Sequence, residues 1–187
     1  WCETDADGRA KAFHRRTAHV AYALIEELML LANMIVARRL ASARVPAIYR
    51  IHAPPDADQW ERMEMALLEL GVRMSSPDRH GALEALREVQ GTAREYPVAM
   101  TVLRHLKRAE YSTRCGLHFG LAARPYTHFT SPIRRYPDLV VHRLVRALVA
   151  GEPVPLSHEA TARIARHSTE QEQLAEEVER DSLAVLR

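Results

Sequence analysis

Cysteine, glycine and lysine are scarce in this chain, and each shortage argues against a class of protein or site. Two cysteines, Cys2 and Cys115, among 187 residues cannot form a disulfide scaffold, so we expect a reducing cytoplasm. The glycines form no phosphate-binding loop, and no nucleophile elbow or paired catalytic carboxylate motif is present. The apolar runs predict no membrane-spanning segment, and the acidic N-terminus does not resemble a signal peptide. The chain does not begin with methionine, which suggests that it belongs to something larger.

The basic residues are almost all arginines. The formal net charge of +2 does not by itself predict a polyanionic partner. Lys11 and Lys107 are the only lysines among 26 basic residues. A GC-rich genome would produce this bias, and so would phosphate recognition, for which the planar guanidinium is well suited. Composition alone leaves both explanations open.

Helical periodicity dominates the sequence, with short alternating stretches between the helices. Helices are predicted from Arg15 to about Ala43, over residues 56–71, within HGALEALREVQ and VAMTVLRHLKR, from Ser131–Pro132 or the later Pro137 to Val149, and from Ser157 almost to Arg187. Strands are predicted in PAIYRIHA, EYSTRCG, HFGLAA and YTHFT. The expected class is therefore α+β, with a small antiparallel or mixed sheet packed by long helices.

The long first helix has two different faces. One face is apolar at helical spacing and is predicted to pack in the core; it comprises Leu24, Ile25, Leu28, Leu31, Ala32, Ile35 and Val36. The opposite face carries Tyr22, Glu26, Met29 and Asn33, with Leu30 and His19 beside them. This polar strip is either a partly exposed surface or the wall of a cleft.

The segment HFTSPIRRYPDL places two arginines where a helix begins. If Thr130 or Ser131 caps a helix that starts at Pro132, then Arg134 and Arg135 lie in its first turn. Cations are unfavourable there by about 0.3–1 kcal/mol each, unless an anion binds to the helix N-terminus. Two alternatives remain: an Arg134–Asp138 pair would neutralise one arginine, and Pro137 could mark the true start of the helix.

Metal ligands are not evident in the sequence. Cys115, His118 and His128 are near one another but match no zinc spacing. Asp5 and Asp7 begin a segment that is typical of a calcium loop, but the later ligands do not follow, so a turn is predicted.

The run GLHFGLAARPYTHFTSPIRRYPDLVVHRLV closely resembles the signature of the ribonuclease II and ribonuclease R family, within its RNB catalytic domain. HVAYALIEELMLLANMIVARRL, PAIYRIHAPPD and LAEEVERDS resemble further family segments, so the resemblance covers nearly the whole chain. It implies that residues 1–187 are the C-terminal part of a single RNB domain. The metal-binding N-terminal half and the flanking oligonucleotide-binding barrels are then absent.

The resemblance also implies an activity. Members are processive exoribonucleases that hydrolyse single-stranded RNA from its 3′ end to nucleoside 5′-monophosphates, by two-metal catalysis with Mg²⁺ or Mn²⁺. The aspartates that hold the metals precede the long helix in the family and have no counterpart here. The implied partners are single-stranded RNA and the missing half of the domain. We expect a cytoplasmic, bacterial monomer without a membrane partner, closer to ribonuclease R than to ribonuclease II.

Site residues follow from the matched motifs. Arg134 corresponds to the family's essential arginine and is expected to neutralise charge on the scissile phosphate. Glu26 and Glu179 match glutamates that the family places near the RNA 3′ end and its channel. Substrate contacts are also expected from Asn33, Thr130 and Ser131. The alternative functions are an RNB-fold RNA-binding protein without catalysis, and a helical interaction module with no role in RNA metabolism.

Overall fold

The computed structural model describes residues 2–7, 9–13 and 19–185. Its elements are β1 (Cys2–Thr4), β2 (Ala10–Phe13), α1 (Val20–Ala43), β3 (Tyr49–Ile51), α2 (Ala57–Glu69), α3 (Arg79–Glu88), α4 (Glu95–His105), β4 (Glu110–Ser112), a 3₁₀ turn (Phe119–Leu121), α5 (Tyr136–Ala150) and α6 (His158–Val185). The predicted α+β class, rich in helix, is confirmed. The part of the predicted first helix before residue 19 lies outside the described residues.

The chain divides into two compact units. The first unit takes residues 1–51, 110–117 and 123–187, and the second takes residues 52–109 and 118–122. In the first unit β1 pairs with β2 and β3 pairs with β4, both antiparallel. Its core joins the C-terminal half of α1 to β3, β4, α5 and α6 through Leu40, Ile48, Tyr111, Val141, Leu144 and Ala165.

The second unit has a core of its own, built by α2, α3 and α4. Apolar residues from all three helices and the turns between them are buried together, among them Met63, Leu67, Val72, Val89, Val98 and Val102. Asp56 caps α2 in a reciprocal capping box with Gln59, and Gly71 follows the helix at φ +73°. The helix predicted over residues 56–71 is confirmed. In this unit the residues that begin and end α2 and the apolar residues that pack in the core both favour the observed helices.

Two of the predicted strands are wrong. HFGLAA contains the 3₁₀ turn, and YTHFT forms no strand; it is an irregular segment fixed by individual hydrogen bonds. Within it, the Tyr126 carbonyl accepts from the Arg50 backbone N–H at 2.9 Å, and the Thr127 hydroxyl donates to the Ile48 carbonyl. Such bonds satisfy the buried backbone without a ladder, which residue periodicity cannot reveal. The hairpin β1–β2 was not predicted, although its turn was: Asp5 Oδ1 accepts from the N–H groups of Asp7 and Arg9.

The apolar face of α1 is exposed, so the prediction that it packs in the core is wrong for this chain. Leu24, Leu28, Leu31 and Ile35 are each more than half exposed. The buried positions are instead Asn33, Ala37 and Leu40, on the other side of the helix. Hydrogen bonds to Asn33 and the core around Leu40 select this side.

One helix among the described residues, α1, is long and apolar enough to cross a membrane, with a mean hydropathy of 1.8 in its most apolar window. The sequence-based expectation that no run reaches this length is therefore wrong. Core helices of globular proteins pass the same test of length and composition. Polar residues such as Glu26 and Asn33 interrupt the apolar residues of α1. The helix therefore has no long uninterrupted apolar run, although its average hydropathy is high.

Candidate functional site

The segment SPIRR forms a turn before α5 rather than the first turn of a helix starting at Pro132. Helix α5 begins at Tyr136 with Pro137 as its second residue, so the later of the two predicted starts is confirmed. Both arginines therefore precede the helix. The Ser131 carbonyl accepts from the backbone N–H groups of Arg134 at 3.3 Å and Arg135 at 3.1 Å, which closes the turn.

Asp138 fixes this turn from the first turn of α5. Its carboxylate is fully buried and accepts from the Ser131 N–H at 2.8 Å. It also accepts two bonds from the Arg135 guanidinium, at 2.9 Å from Nε and 2.8 Å from Nη2. Such bidentate pairs are both strong and geometrically specific. The alternative of an Arg134–Asp138 pair is wrong, because Asp138 pairs with Arg135.

The two adjacent arginines consequently differ in what they can do. The Arg135 guanidinium is half-buried and committed to Asp138. The Arg134 side chain is exposed and, within the described part of the chain, has neither an ion pair nor a hydrogen bond. A free guanidinium on a backbone turn held by a buried carboxylate is available to bind an anion without reorganising the turn.

Asn33 connects α1 to the segment that precedes the turn. Its side-chain oxygen accepts from the Phe129 N–H at 3.0 Å, and its amide donates to the Tyr126 hydroxyl at 2.9 Å. Burial of Tyr126 raises the pKa of its phenol. His142 lies stacked on the Phe129 ring, and its Nε2 lies 2.8 Å from the Phe129 carbonyl oxygen. Asn33 therefore has a framework role, and substrate contact by it stays a prediction.

The polar strip of α1 lines a groove of about 490 Å³, which we call the Glu26 groove. Its walls include Tyr22, Glu26, Met29, Asn33, Tyr126 and Thr130. The interpretation as a cleft wall is confirmed, except that His19 instead caps α1, its Nδ1 accepting from the Ala21 N–H. The Thr130 hydroxyl is buried at this groove and has no hydrogen-bond partner among the described residues. A buried hydroxyl without a partner is costly, so a ligand oxygen would stabilise it.

A second groove, of about 450 Å³, shares Arg135 with the first; we call it the Arg134 groove. Its walls include Tyr111, Arg134, Tyr136, His167, Gln171 and Glu172, and Arg135 lines both grooves. Burial raises the pKa of Tyr111 to about 12, and its hydroxyl lies 2.8 Å from His128 Nδ1. Glu172 pairs with Arg50, whose guanidinium lies 4.6 Å from the centre of the Tyr111 ring.

The predicted site residues therefore separate into groups. Glu26, Asn33 and Thr130 line one groove, and Arg134 lines the other. Ser131 supplies the backbone of the turn, and its hydroxyl has no partner in the described part of the chain. Glu179 is exposed near the end of α6, in a separate shallow depression with Glu176 and Arg180, so its channel-facing role stays a prediction.

The sequence had not assigned the groove-lining roles of Tyr136, His167 and Gln171. Tyr136 belongs to the matched motif, but nothing in its spacing indicates a wall of a groove. His167 and Gln171 lie one turn apart on α6, at least 33 positions from Arg134 along the chain. Only the packing of α6 beside the start of α5 brings them to the Arg134 groove.

The residues described here do not fit a catalytic metal. Among positions 2–7, 9–13 and 19–185, no group of three or more His, Cys, Asp or Glu side chains could hold a metal ion. The uncommitted polar groups of these grooves are hydroxyls, the Arg134 guanidinium, the exposed Glu26 carboxylate, the His167 imidazole and the Gln171 amide. That set can bind and orient a phosphate-containing ligand.

Comparison with known proteins identifies the class. A family model for the RNB domain matches residues 2–151, and the chain belongs to this family. The chain is 36% identical over 190 residues to ribonuclease R of Aquifex aeolicus (strain VF5), which covers 98% of the chain and 27% of that relative. The chain thus spans about a quarter of this curated relative.

Solved structures agree with this assignment. The apo form of Mycoplasma genitalium RNase R superposes with a TM-score of 0.88 at 26% identity, over 99% of this chain and 30% of that one. The same enzyme in complex with ribose-methylated single-stranded RNA gives a TM-score of 0.85 at 25% identity, over 99% of this chain and 30% of that one. Yeast Ssd1, a pseudonuclease, gives 0.70 at 21% identity, over 82% of this chain and 20% of that one, which shows a shared fold.

Proposed function

We propose that this chain is the C-terminal part of the RNB domain of a processive 3′–5′ exoribonuclease, which hydrolyses single-stranded RNA to nucleoside 5′-monophosphates. The observation that carries the proposal is the free Arg134 guanidinium, which lines a groove and belongs to a turn fixed by Asp138. The family match and the ribonuclease R relatives support it. We also propose that the protein is a cytoplasmic, bacterial monomer, and that it is of the ribonuclease R type, in line with its ribonuclease R relatives.

Arg134 would act on the phosphate. Its guanidinium can donate two parallel hydrogen bonds to non-bridging phosphate oxygens and offset the negative charge that grows there during hydrolysis. Asp138 and Arg135 hold the turn, so the backbone at Arg134 would be in place before the substrate arrives. The Thr130 and Ser131 hydroxyls would bind phosphate or ribose oxygens. Glu26 would accept from ribose hydroxyls in its groove, and Glu179 would lie further along the channel.

Mg²⁺ or Mn²⁺ would supply the activated water and stabilise the leaving oxygen in the complete domain. We propose that their ligands lie in a part of the RNB domain outside this chain. The same part would cover the apolar face of α1, where Leu24, Leu28, Leu31 and Ile35 are exposed. Burial of this stripe would stabilise the assembled domain by roughly 1.5–3 kcal/mol per fully covered side chain.

The central test replaces Arg134 in the complete protein. We expect Arg134→Ala to lower the rate of mononucleotide release from single-stranded RNA at least about 100-fold, because a preorganised donor to the developing charge is lost. RNA affinity should stay within about threefold, since the other phosphate contacts persist. Single-turnover hydrolysis and filter binding measure the two quantities separately.

A matched control is Arg163→Ala, which removes an exposed arginine paired with Glu159 and away from both grooves. It should leave the hydrolysis rate within about twofold, as surface pairs contribute little. Turnover of Arg134→Ala within tenfold of the parent would show that the assigned role is wrong. The 187-residue chain by itself should release no mononucleotides with Mg²⁺ or Mn²⁺.

The second candidate is an RNB-fold RNA-binding protein without catalysis. The fold of the pseudonuclease Ssd1 is the observation that favours it, together with the lack of a metal-ligand group among the described residues. A complete protein that binds single-stranded RNA at low salt but releases no mononucleotide with either metal would support this candidate over the enzyme. Failure to bind RNA at all would favour the interaction module instead.

A further inference from the structure

Three polar side chains of α6 in the Arg134 groove are uncommitted. His167, Ser168 and Gln171 have no hydrogen bond or ion pair with any described residue, although Thr169 between them donates to Ala165 and accepts from the Tyr111 N–H. Positions 167, 168 and 171 lie within one turn and share a face of the helix. They offer both donors and acceptors at the wall of the groove.

Arg134 is the only uncompensated guanidinium or carboxylate that lines this groove. Arg135 is neutralised by Asp138, and Glu172 by Arg50. The groove therefore favours a ligand with a single negative charge, which a phosphodiester group carries. Its volume of about 450 Å³ lies in the range of about 300–1,000 Å³ that is usual for small-ligand sites.

Tyr136 gives the groove an available aromatic ring. It is 52% exposed at the first residue of α5, directly after the two arginines. The second tyrosine of the groove, Tyr111, is buried and already contacts Arg50 and His128. Exposed tyrosines beside cationic side chains are typical platforms for the bases of single-stranded nucleic acids.

We propose that the Arg134 groove is a nucleotide subsite, distinct from the Glu26 groove and separated from it by Arg135. One phosphate lies at Arg134, the base stacks on Tyr136, and His167, Ser168 and Gln171 bind the base edge or the ribose. Since Arg135 lines both grooves, the two subsites hold neighbouring nucleotides. This inference rests on the proposed RNA substrate, but not on turnover.

The test measures binding by the complete protein in EDTA, so that metal-dependent hydrolysis does not contribute. Fluorescence anisotropy with a labelled ten-nucleotide oligo(A) should give an affinity about tenfold weaker for Tyr136→Ala, because base stacking on an aromatic side chain is lost. Tyr136→Phe should stay within about twofold, since the ring remains. Gln171→Ala should weaken binding about threefold by removing one hydrogen-bonding side chain.

RNA oligonucleotides with one abasic position near the 3′ end distinguish the loss of base stacking from a structural effect of Tyr136→Ala on the protein. One such position should weaken binding to the parent protein about tenfold, and Tyr136→Ala should then add no further loss. Competition by free AMP shows which nucleotide occupies the groove. If Tyr136→Ala weakens the binding of AMP, the groove holds the released product. If Tyr136→Ala weakens the binding of the oligonucleotide alone, the groove holds a nucleotide of the RNA strand.

The inference would be overturned by either of two results. Tyr136→Ala could bind every strand within twofold of the parent, or Tyr136→Ala and Tyr136→Phe could weaken binding equally. Release of mononucleotides is measured in a separate experiment with metal present. A complete protein that releases mononucleotides but shows no effect of Tyr136 would retain the proposed function and lose this subsite.

Discussion

Helix α1 and the helices of the second unit both carry apolar residues at helical spacing, but their surroundings differ. In both regions apolar residues recur at helical spacing, which predicts a buried face. The second unit buries apolar residues from its three helices in one core, around Met63, Leu67 and Val98, which are each 0% exposed. Along α1, Leu24, Leu28 and Leu31 stay more than half exposed. The periodicity therefore shows that a face needs cover, but not whether this chain supplies it.

The largest effect is expected from paired leucine substitutions in these two regions. In the 187-residue chain, Leu67→Ala should lower the free energy of unfolding of the second unit by about 2–5 kcal/mol, since it leaves a cavity in a closed core. Leu28→Ala should change the stability by no more than about 0.5 kcal/mol, because its side chain is exposed. Urea denaturation, followed by Trp60 fluorescence for the second unit and by circular dichroism for the helices of the whole chain, measures both.

The same two substitutions, Leu67→Ala and Leu28→Ala, can be compared in the complete protein. If further RNB sequence covers α1, Leu28→Ala should there lower the free energy of unfolding by about 2 kcal/mol or more. Equal, small effects of Leu28→Ala in both proteins would contradict the proposed cover. A large effect in the 187-residue chain alone would contradict the exposure of this face.

A smaller effect on stability is expected when the pairing of Arg135 with Asp138 is weakened. Arg134 has no such partner among the described residues. Asp138→Asn should lower the free energy of unfolding by about 2 kcal/mol, because buried hydrogen bonds to a charged group are weakened and Arg135 loses its counter-charge. Glu159→Gln, in an exposed pair with Arg163, is the matched control and should change stability by less than about 0.5 kcal/mol. Indistinguishable thermal unfolding of the two variants would show that Asp138 does not fix the turn.

The smallest effect concerns alkaline pH. Burial raises the pKa of Tyr111 from 10.0 to about 12, so the native state favours the neutral phenol. Its contribution to stability is therefore complete below about pH 10 and is lost as the pH rises from there towards 12. Urea midpoints at pH 8 and pH 11 should differ less in Tyr111→Phe than in the parent. Tyr96→Phe, at an exposed phenol, should leave that difference unchanged.

Local signals in the sequence predicted much of the fold. The helix over residues 56–71, the end of α5 near Val149 and the start of α6 after Ser157 are confirmed. Each depends on backbone groups within a few residues, so residue type is enough. The irregular segment 126–129 was not predictable, because its hydrogen bonds come from Asn33, Ile48 and Arg50, remote in the chain.

The sequence by itself determined the family, the helix-rich α+β class and the importance of the two adjacent arginines. These follow from motifs whose residues are contiguous in the chain. Only the tertiary structure decided which arginine is free, because the partner of Asp138 depends on the turn geometry and not on the spacing of charges. It also decided that α6 completes the Arg134 groove, since residues 167–172 reach the start of α5 only through packing.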